Sequence, residues 1–135
     1  RQTVERMVRA ALYDSGIAAA DVDLIKLQAA GSPHNDAEEI AGIKTVFSPL
    51  PALSTLKASI GHTLGAAGAA ELALLTACID AGLWPAPPAC LPDPDLEVTL
   101  APRFPPRLRF ILAQILGFGG GHAALVLEDC NGSST

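Results

Sequence analysis

The stretch Lys57-Ala58-Ser59-Ile60-Gly61-His62-Thr63-Leu64-Gly65-Ala66-Ala67-Gly68-Ala69-Ala70-Glu71-Leu72 decides how this chain is read. It begins where a strand is expected to end, turns at a glycine and enters a long helix of small apolar residues. Lys57, His62 and Glu71 are its ionisable exceptions. An unpaired charge is costly to bury, so such groups are usually paired or put to use. A cation, an imidazole and a carboxylate entering one packed helix therefore mark a polar cluster with a task. Small residues on several faces let a helix lie close to its neighbours, and a helix apolar all round belongs at the centre of a structure.

Composition bounds the rest. The chain has 135 residues, half of them hydrophobic and 17% charged, enough for one domain with a real core and too apolar for a disordered chain. A net charge of -5 argues against a nucleic-acid footprint. Arg103, Arg107 and Arg109 are either a small basic patch or the solvated edge of a loop. Three cysteines, Cys78, Cys90 and Cys130, have neither disulfide-framework nor metal-site spacing. That usage fits a reducing cytoplasm, with Cys78 a core residue of its helix. His34, His62 and His122 are scattered without ligand-like spacing, so no metal and no cofactor are expected. Residues 60–79 approach membrane-spanning length, but His62, Glu71 and the glycines argue for a buried core helix instead. The chain starts at Arg1 inside a helical pattern, which reads as a piece of a longer protein.

Outward from the central stretch, residues 3–15 predict an amphipathic helix, with Val4, Met7, Val8, Ala11 and Leu12 on one face and Gly16 as its stop. Val22 to Leu27 predicts a strand, followed by a loop from Gln28 to Asp36. Asn35 or Asp36 would cap the next helix, with Glu38 and Glu39 in its first turn and Ile40, Ile43, Val46 and Phe47 buried. Leu53 to Ser59 predicts a second strand, and the central helix should run from about Thr63 to Ala81, closed by Gly82. Residues 84–106 hold eight prolines and should wrap the surface irregularly, with room for a short strand near Val98–Leu100. Residues 107–116 and 122–127 predict two strands joined tightly through Gly117-Phe118-Gly119-Gly120-Gly121, hence antiparallel. Alternating helices and strands closed by a strand pair predict an α/β layer with a mixed sheet flanked by helices.

The central stretch resembles the Lys-Ser-x-x-Gly-His-x-x-Gly-Ala-Ala-Gly-x-x-Glu segment of the β-ketoacyl-acyl carrier protein synthases, the condensing enzymes of fatty-acid and polyketide synthesis. The 117–121 loop resembles their Gly-Phe-Gly-Gly-Thr-Asn loop, and matches run in order from about Leu24 to Leu127. The resemblance implies a thiolase-like fold, in which two similar halves stack as alternating helix and sheet layers. Residues 1–135 would be the C-terminal half of such a protein, without the N-terminal half that carries the nucleophilic cysteine.

It also implies roles. His62 would help decarboxylate malonyl-carrier protein by donating a hydrogen bond to the developing enolate, which is oxyanion chemistry. Lys57 and Glu71 would form an ion pair that fixes active-site geometry, with Lys57 placing positive charge near the reacting carboxylate; a purely structural pair is compatible with this. The Phe118 N–H would help form an oxyanion hole, its ring would gate the acyl pocket, and Gly119 and Gly120 would let the backbone approach. Gly121 and His122 replace the usual Thr-Asn pair, so the hydrogen bonds of those side chains are not carried over.

The largest departure lies upstream. Where the family has His-Gly-Thr-Gly-Thr-Pro, anchoring on Pro33 and Asp36 without gaps puts Gln28 at the histidine position, and a gapped alignment puts Ala30 there. Gln can donate a hydrogen bond but cannot serve as acid, base or cation. His34 is either a substitute or an exposed loop residue. Two functions stay open: a ketosynthase-like acyltransferase to which this chain contributes, inactive by itself, and a non-catalytic partner like the chain-length factors. The implied partners are an acyl carrier protein and a second ketosynthase-like subunit, with no nucleic acid and no membrane.

Overall fold

A computed structural model describes residues 1–61, 67–85, 91–116 and 121–130. Among these residues four α-helices and four strands follow one another as α1 (Gln2–Ser15), β1 (Leu24–Lys26), α2 (Pro33–Val46), β2 (Ala52–Ser54), α3 (Lys57–Ile60), α4 (Ala67–Ala81), β3 (Phe110–Leu116) and β4 (His122–Glu128). The sheet order is β2-β1-β3-β4. β1 runs parallel to both β2 and β3, and β3 and β4 are antiparallel. The expected mixed sheet and terminal strand pair are both present.

Alternation along the strands sorts side chains onto two faces. On one face Ile25, Leu27 and Leu112 meet Val4, Val8 and Leu12 of α1 and Ile40, Ile43 and Phe47 of α2. On the other, Leu24 and Ile111 meet Leu56 and Leu75, with Trp84, Phe104 and Leu108 closing the rim. Trp84 and Phe104 sit edge to face with centroids 4.9 Å apart, which anchors the proline-rich segment beside the end of α4. Cys78 is half-buried rather than part of the core.

The helix ends follow from local chemistry. Gly16 and Gly82 both take φ of 68°, the left-handed conformation that favours glycine, and close α1 and α4. The predicted cap of α2 is corrected: the helix begins at Pro33, preceded by Ser32, so Asn35 and Asp36 lie inside its first turn. Pro33 sets φ for the first helical position and its missing N–H costs nothing there. The second strand is shorter than expected. It ends at Ser54, and Lys57–Ile60 forms a helical turn. Leu56 has helical backbone angles and a fully buried side chain, so the chain leaves the sheet to put that side chain under α4.

The proline-rich segment contains one 3-10 turn, Pro94–Leu96, and no strand among its described residues. It contacts the outer edge of β2 where Ala101 N donates to Leu53 O at 2.9 Å. Lys44 Nζ donates to Leu96 O at 2.8 Å and ties the segment to α2. Among the described residues no helix is long and apolar enough to cross a membrane.

Candidate active site

β1, β2 and β3 are parallel, so their C-terminal ends share one edge of the sheet. β4 starts at that edge, with His122 opposite Leu116. In open α/β sheets ligands bind outside the carboxyl ends of the strands. Here that edge gathers Lys26 from β1, Gln28 just beyond it, Lys57 from the turn after β2, and Gln114 from β3.

α4 brings Glu71 onto this edge. Glu71 is fully buried, with Lys57 Nζ 2.6 Å from its Oε2 and Lys26 Nζ 3.0 Å from its Oε1. Lys26 is also fully buried, and the Lys57 side chain is 9% exposed. The Lys26 ammonium donates in addition to the backbone carbonyl of Gln114 at 3.1 Å. Burial pushes the Lys26 ammonium below the ordinary lysine range, with Glu71 pulling it back up.

α2 supplies a second buried carboxylate. Glu39 accepts from Gln28 N at 2.6 Å, Ala29 N at 2.9 Å and Gln114 Nε2 at 3.2 Å. Gln114 therefore joins the two carboxylates: its backbone oxygen receives Lys26, and its side chain reaches Glu39. Burial raises the Glu39 carboxyl above its ordinary value, against the Ala29 and Gln28 N–H groups. The buried side-chain oxygen Gln28 Oε1 has no hydrogen-bond partner among the described residues.

A cavity of about 400 Å³ lies between the loop after β1 and the proline-rich segment. Leu27, Ile40, Leu96, Val98 and Leu100 give it apolar walls, and Lys57, Thr55 and Asp36 are polar members of its lining. Burial raises the Asp36 carboxyl, opposed by the N–H groups of Gly31 and Ala30. Glu39 and Asp93 also line the cavity, so the Lys57 ammonium, already paired with Glu71, stands there among three carboxyl groups.

Of the residues singled out from sequence, Lys57 and Glu71 are brought into direct contact, and Gln28 is buried beside Glu39. His62, Phe118, Gly119 and Gly120 lie outside the described residues. His34 is exposed in the first turn of α2. Arg109 pairs with Glu128 at 3.1 Å and stacks on Phe110, so its charge is engaged rather than part of an open basic patch. Sequence reasoning missed Lys26, Glu39 and Gln114. The available signal was a lone polar residue inside each of two apolar strand patterns, with Glu71 in an apolar helix to answer one of them.

The family model for the beta-ketoacyl synthase C-terminal domain matches residues 1–90, and the chain belongs to that family. It is 32% identical over 131 residues to nodulation protein E of Rhizobium meliloti, covering 92% of this chain and 32% of that protein. It is 31% identical over 129 residues to 3-oxoacyl-(acyl-carrier-protein) synthase 2 of Staphylococcus aureus, covering 91% and 32%. Among solved structures, the ishigamide ketosynthase/chain length factor superposes with a TM-score of 0.80 at 28% identity, over 93% of this chain and 32% of that one. The chain thus spans about a third of the length of these relatives. Its helix-flanked mixed sheet is the thiolase-like half-domain that the resemblance implied.

Proposed function

We propose that this chain is the C-terminal half of a ketosynthase-like acyltransferase that condenses an acyl thioester with malonyl-carrier protein in fatty-acid or polyketide synthesis. The observation that carries the reading is the 2.6 Å Lys57–Glu71 pair at the carboxyl edge of the sheet, directly ahead of Gly61-His62, in a chain of this family. In this reading Lys57 faces the malonyl carboxylate before it leaves as carbon dioxide. His62 donates to the enolate oxygen, and the Phe118 N–H completes an oxyanion hole with the nucleophilic cysteine of an N-terminal half. Gln28 supplies at most a hydrogen bond. The partners are an acyl carrier protein and a second ketosynthase-like subunit, and the setting is cytoplasmic.

Gln28 also favours a second reading, a non-catalytic partner of the chain-length-factor kind, and one of the structures the chain resembles is a ketosynthase/chain length factor. One experiment separates the two. Condensation by the protein carrying its N-terminal half is followed with malonyl-carrier protein and acyl primers, alone and with a co-expressed ketosynthase. His62→Ala and Gln28→His are assayed beside it. Turnover alone, lost in His62→Ala, supports the enzyme. Absence of turnover alone, with altered product length in the pair, supports the partner. If Gln28→His gains turnover that the unmodified protein lacks, Gln28 is the lesion that separates the two.

A further inference from the structure

Lys57 by itself could neutralise Glu71, yet a second ammonium is buried on the same carboxylate. Lys26 belongs to β1, an interior strand, and its side chain is fully buried. Burying an ammonium is expensive, and here it lies close enough to Lys57 for the two like charges to oppose one another. Charge balance at Glu71 therefore does not explain it. Geometry does. A carboxylate held at one oxygen can still turn about its last side-chain bond, whereas a second cation placed against the other oxygen opposes that turn electrostatically. Lys26 Nζ lies 3.0 Å from Oε1 as an ion pair outside hydrogen-bond geometry, while Oε2 accepts a hydrogen bond from Lys57 at 2.6 Å. The Lys26 nitrogen is located by the Gln114 carbonyl at 3.1 Å, a backbone atom of the neighbouring strand β3. Gln114 is in turn fixed by its side-chain bond to Glu39 at 3.2 Å.

We infer that Lys26 is a positioning residue, which opposes the rotation of Glu71 and so holds the Lys57 ammonium in register at the wall of the cavity. The chain of contacts runs from the sheet backbone to Lys26, Glu71 and Lys57. Lys26 itself is shut away from solvent and does not line the cavity. Its effect on the reaction rests on the condensing reading above.

The test has two arms. In the first, lysine side chains of the chain are labelled with ¹⁵N, and the Lys57 ammonium signal is followed in Lys26→Met and Lys26→Gln. Glutamine keeps hydrogen-bonding capacity for folding but ends one bond short of Nζ. With the amide spectrum of the fold retained, the Lys57 signal should shift or be lost to solvent exchange in both variants. An unchanged Lys57 signal in either folded variant overturns the proposal. In the second arm, Lys26→Gln is assayed in the protein carrying its N-terminal half. There kcat for condensation should fall by up to about 100-fold, the scale of a small misplacement of a reacting group, while KM for the carrier-protein substrate holds. An unchanged kcat overturns the catalytic consequence. If the unmodified protein does not turn over, the condensing reading fails, and the ammonium arm still decides whether Lys26 positions Lys57.

Discussion

Glu39 Oε1 lies 2.6 Å from the Gln28 backbone nitrogen and fastens the end of β1 to α2. The other oxygen takes the next N–H, that of Ala29, at 2.9 Å. Ala29 has a φ of 44°, so the chain bends sharply at the residue this carboxylate holds. An amide offers only one acceptor atom and cannot serve both N–H groups. Glu39→Gln should cost about 1–3 kcal/mol, the scale for one buried donor left unpaired. Urea unfolding followed by circular dichroism measures it.

The same carboxyl makes stability depend on pH. Burial raises the Glu39 and Asp36 carboxyls above their ordinary values. A raised carboxyl binds its proton more tightly in the native state than in the unfolded one. Its contribution is therefore complete below the unfolded value and is lost as pH rises through the folded one. The stability advantage of the unmodified chain over Glu39→Gln should narrow as pH is raised from about 4 towards neutrality. A gap that widens with pH would contradict the assignment.

The two lysines on Glu71 set an order of severity. Glu71→Gln leaves two ammoniums without their counter-ion and should cost about 3–5 kcal/mol, as when one member of a buried ion pair is removed. Lys57→Met leaves Glu71 its contact with Lys26 and should cost less. Urea midpoints for the two variants and their double test this; a larger loss for Lys57→Met than for Glu71→Gln would refute the arrangement.

Helix packing turns on two glycines. A Cβ on Gly42 would lie 2.6 Å from both Cβ and Cγ1 of Val4 and 3.1 Å from the Arg1 carbonyl, so α1 and α2 meet without room for a methyl group. A Cβ on Gly68 would lie 2.7 Å from Ile115 Cδ1, where α4 crosses β3. Alanine is the better helix former by about 1 kcal/mol. Both glycine-to-alanine changes should nevertheless destabilise, by about 1–3 kcal/mol each, through overpacking. Ile115→Val removes the clashing Cδ1, so the double variant Gly68→Ala/Ile115→Val should be more stable than the sum of the single changes predicts. Thermal unfolding of the four proteins closes that cycle.

How far the sequence reveals this structure depends on the kind of interaction. Local signals worked. The α1 stripe of Val4, Val8 and Leu12 is buried, Gly16 and Gly82 close their helices, and the last two strands pair antiparallel, with Leu116 opposite His122. Lys57 and Glu71 stand out as a polar cluster in one apolar stretch, and their pairing is what the family resemblance implies. Lys26 was passed over because Leu24, Ile25 and Leu27 already make a strand pattern around it; its partner lies 45 residues on in α4, a distance no local pattern spans. Glu39 was read as favouring the start of α2 because a carboxylate near a helix N-terminus ordinarily stays in solvent. Pro33 starts that helix earlier than expected, and Glu39 instead faces the backbone of Gln28 and Ala29. The end of β2 at Ser54 was likewise set by a tertiary demand, the burial of Leu56.

The bond from Ala101 to Leu53 has a bearing on how the sheet can grow. β2 is an outer strand, and unpaired outer strands are templates on which other chains assemble. Here a carbonyl of that margin is already taken by the proline-rich segment, whose prolines lack the N–H needed to pass pairing onward. The opposite margin, β4, pairs with β3 and, among the described residues, with no further strand. Among the described residues the two margins of the sheet are thus unlike, one partly covered by the chain's own irregular segment and the other not continued by a strand.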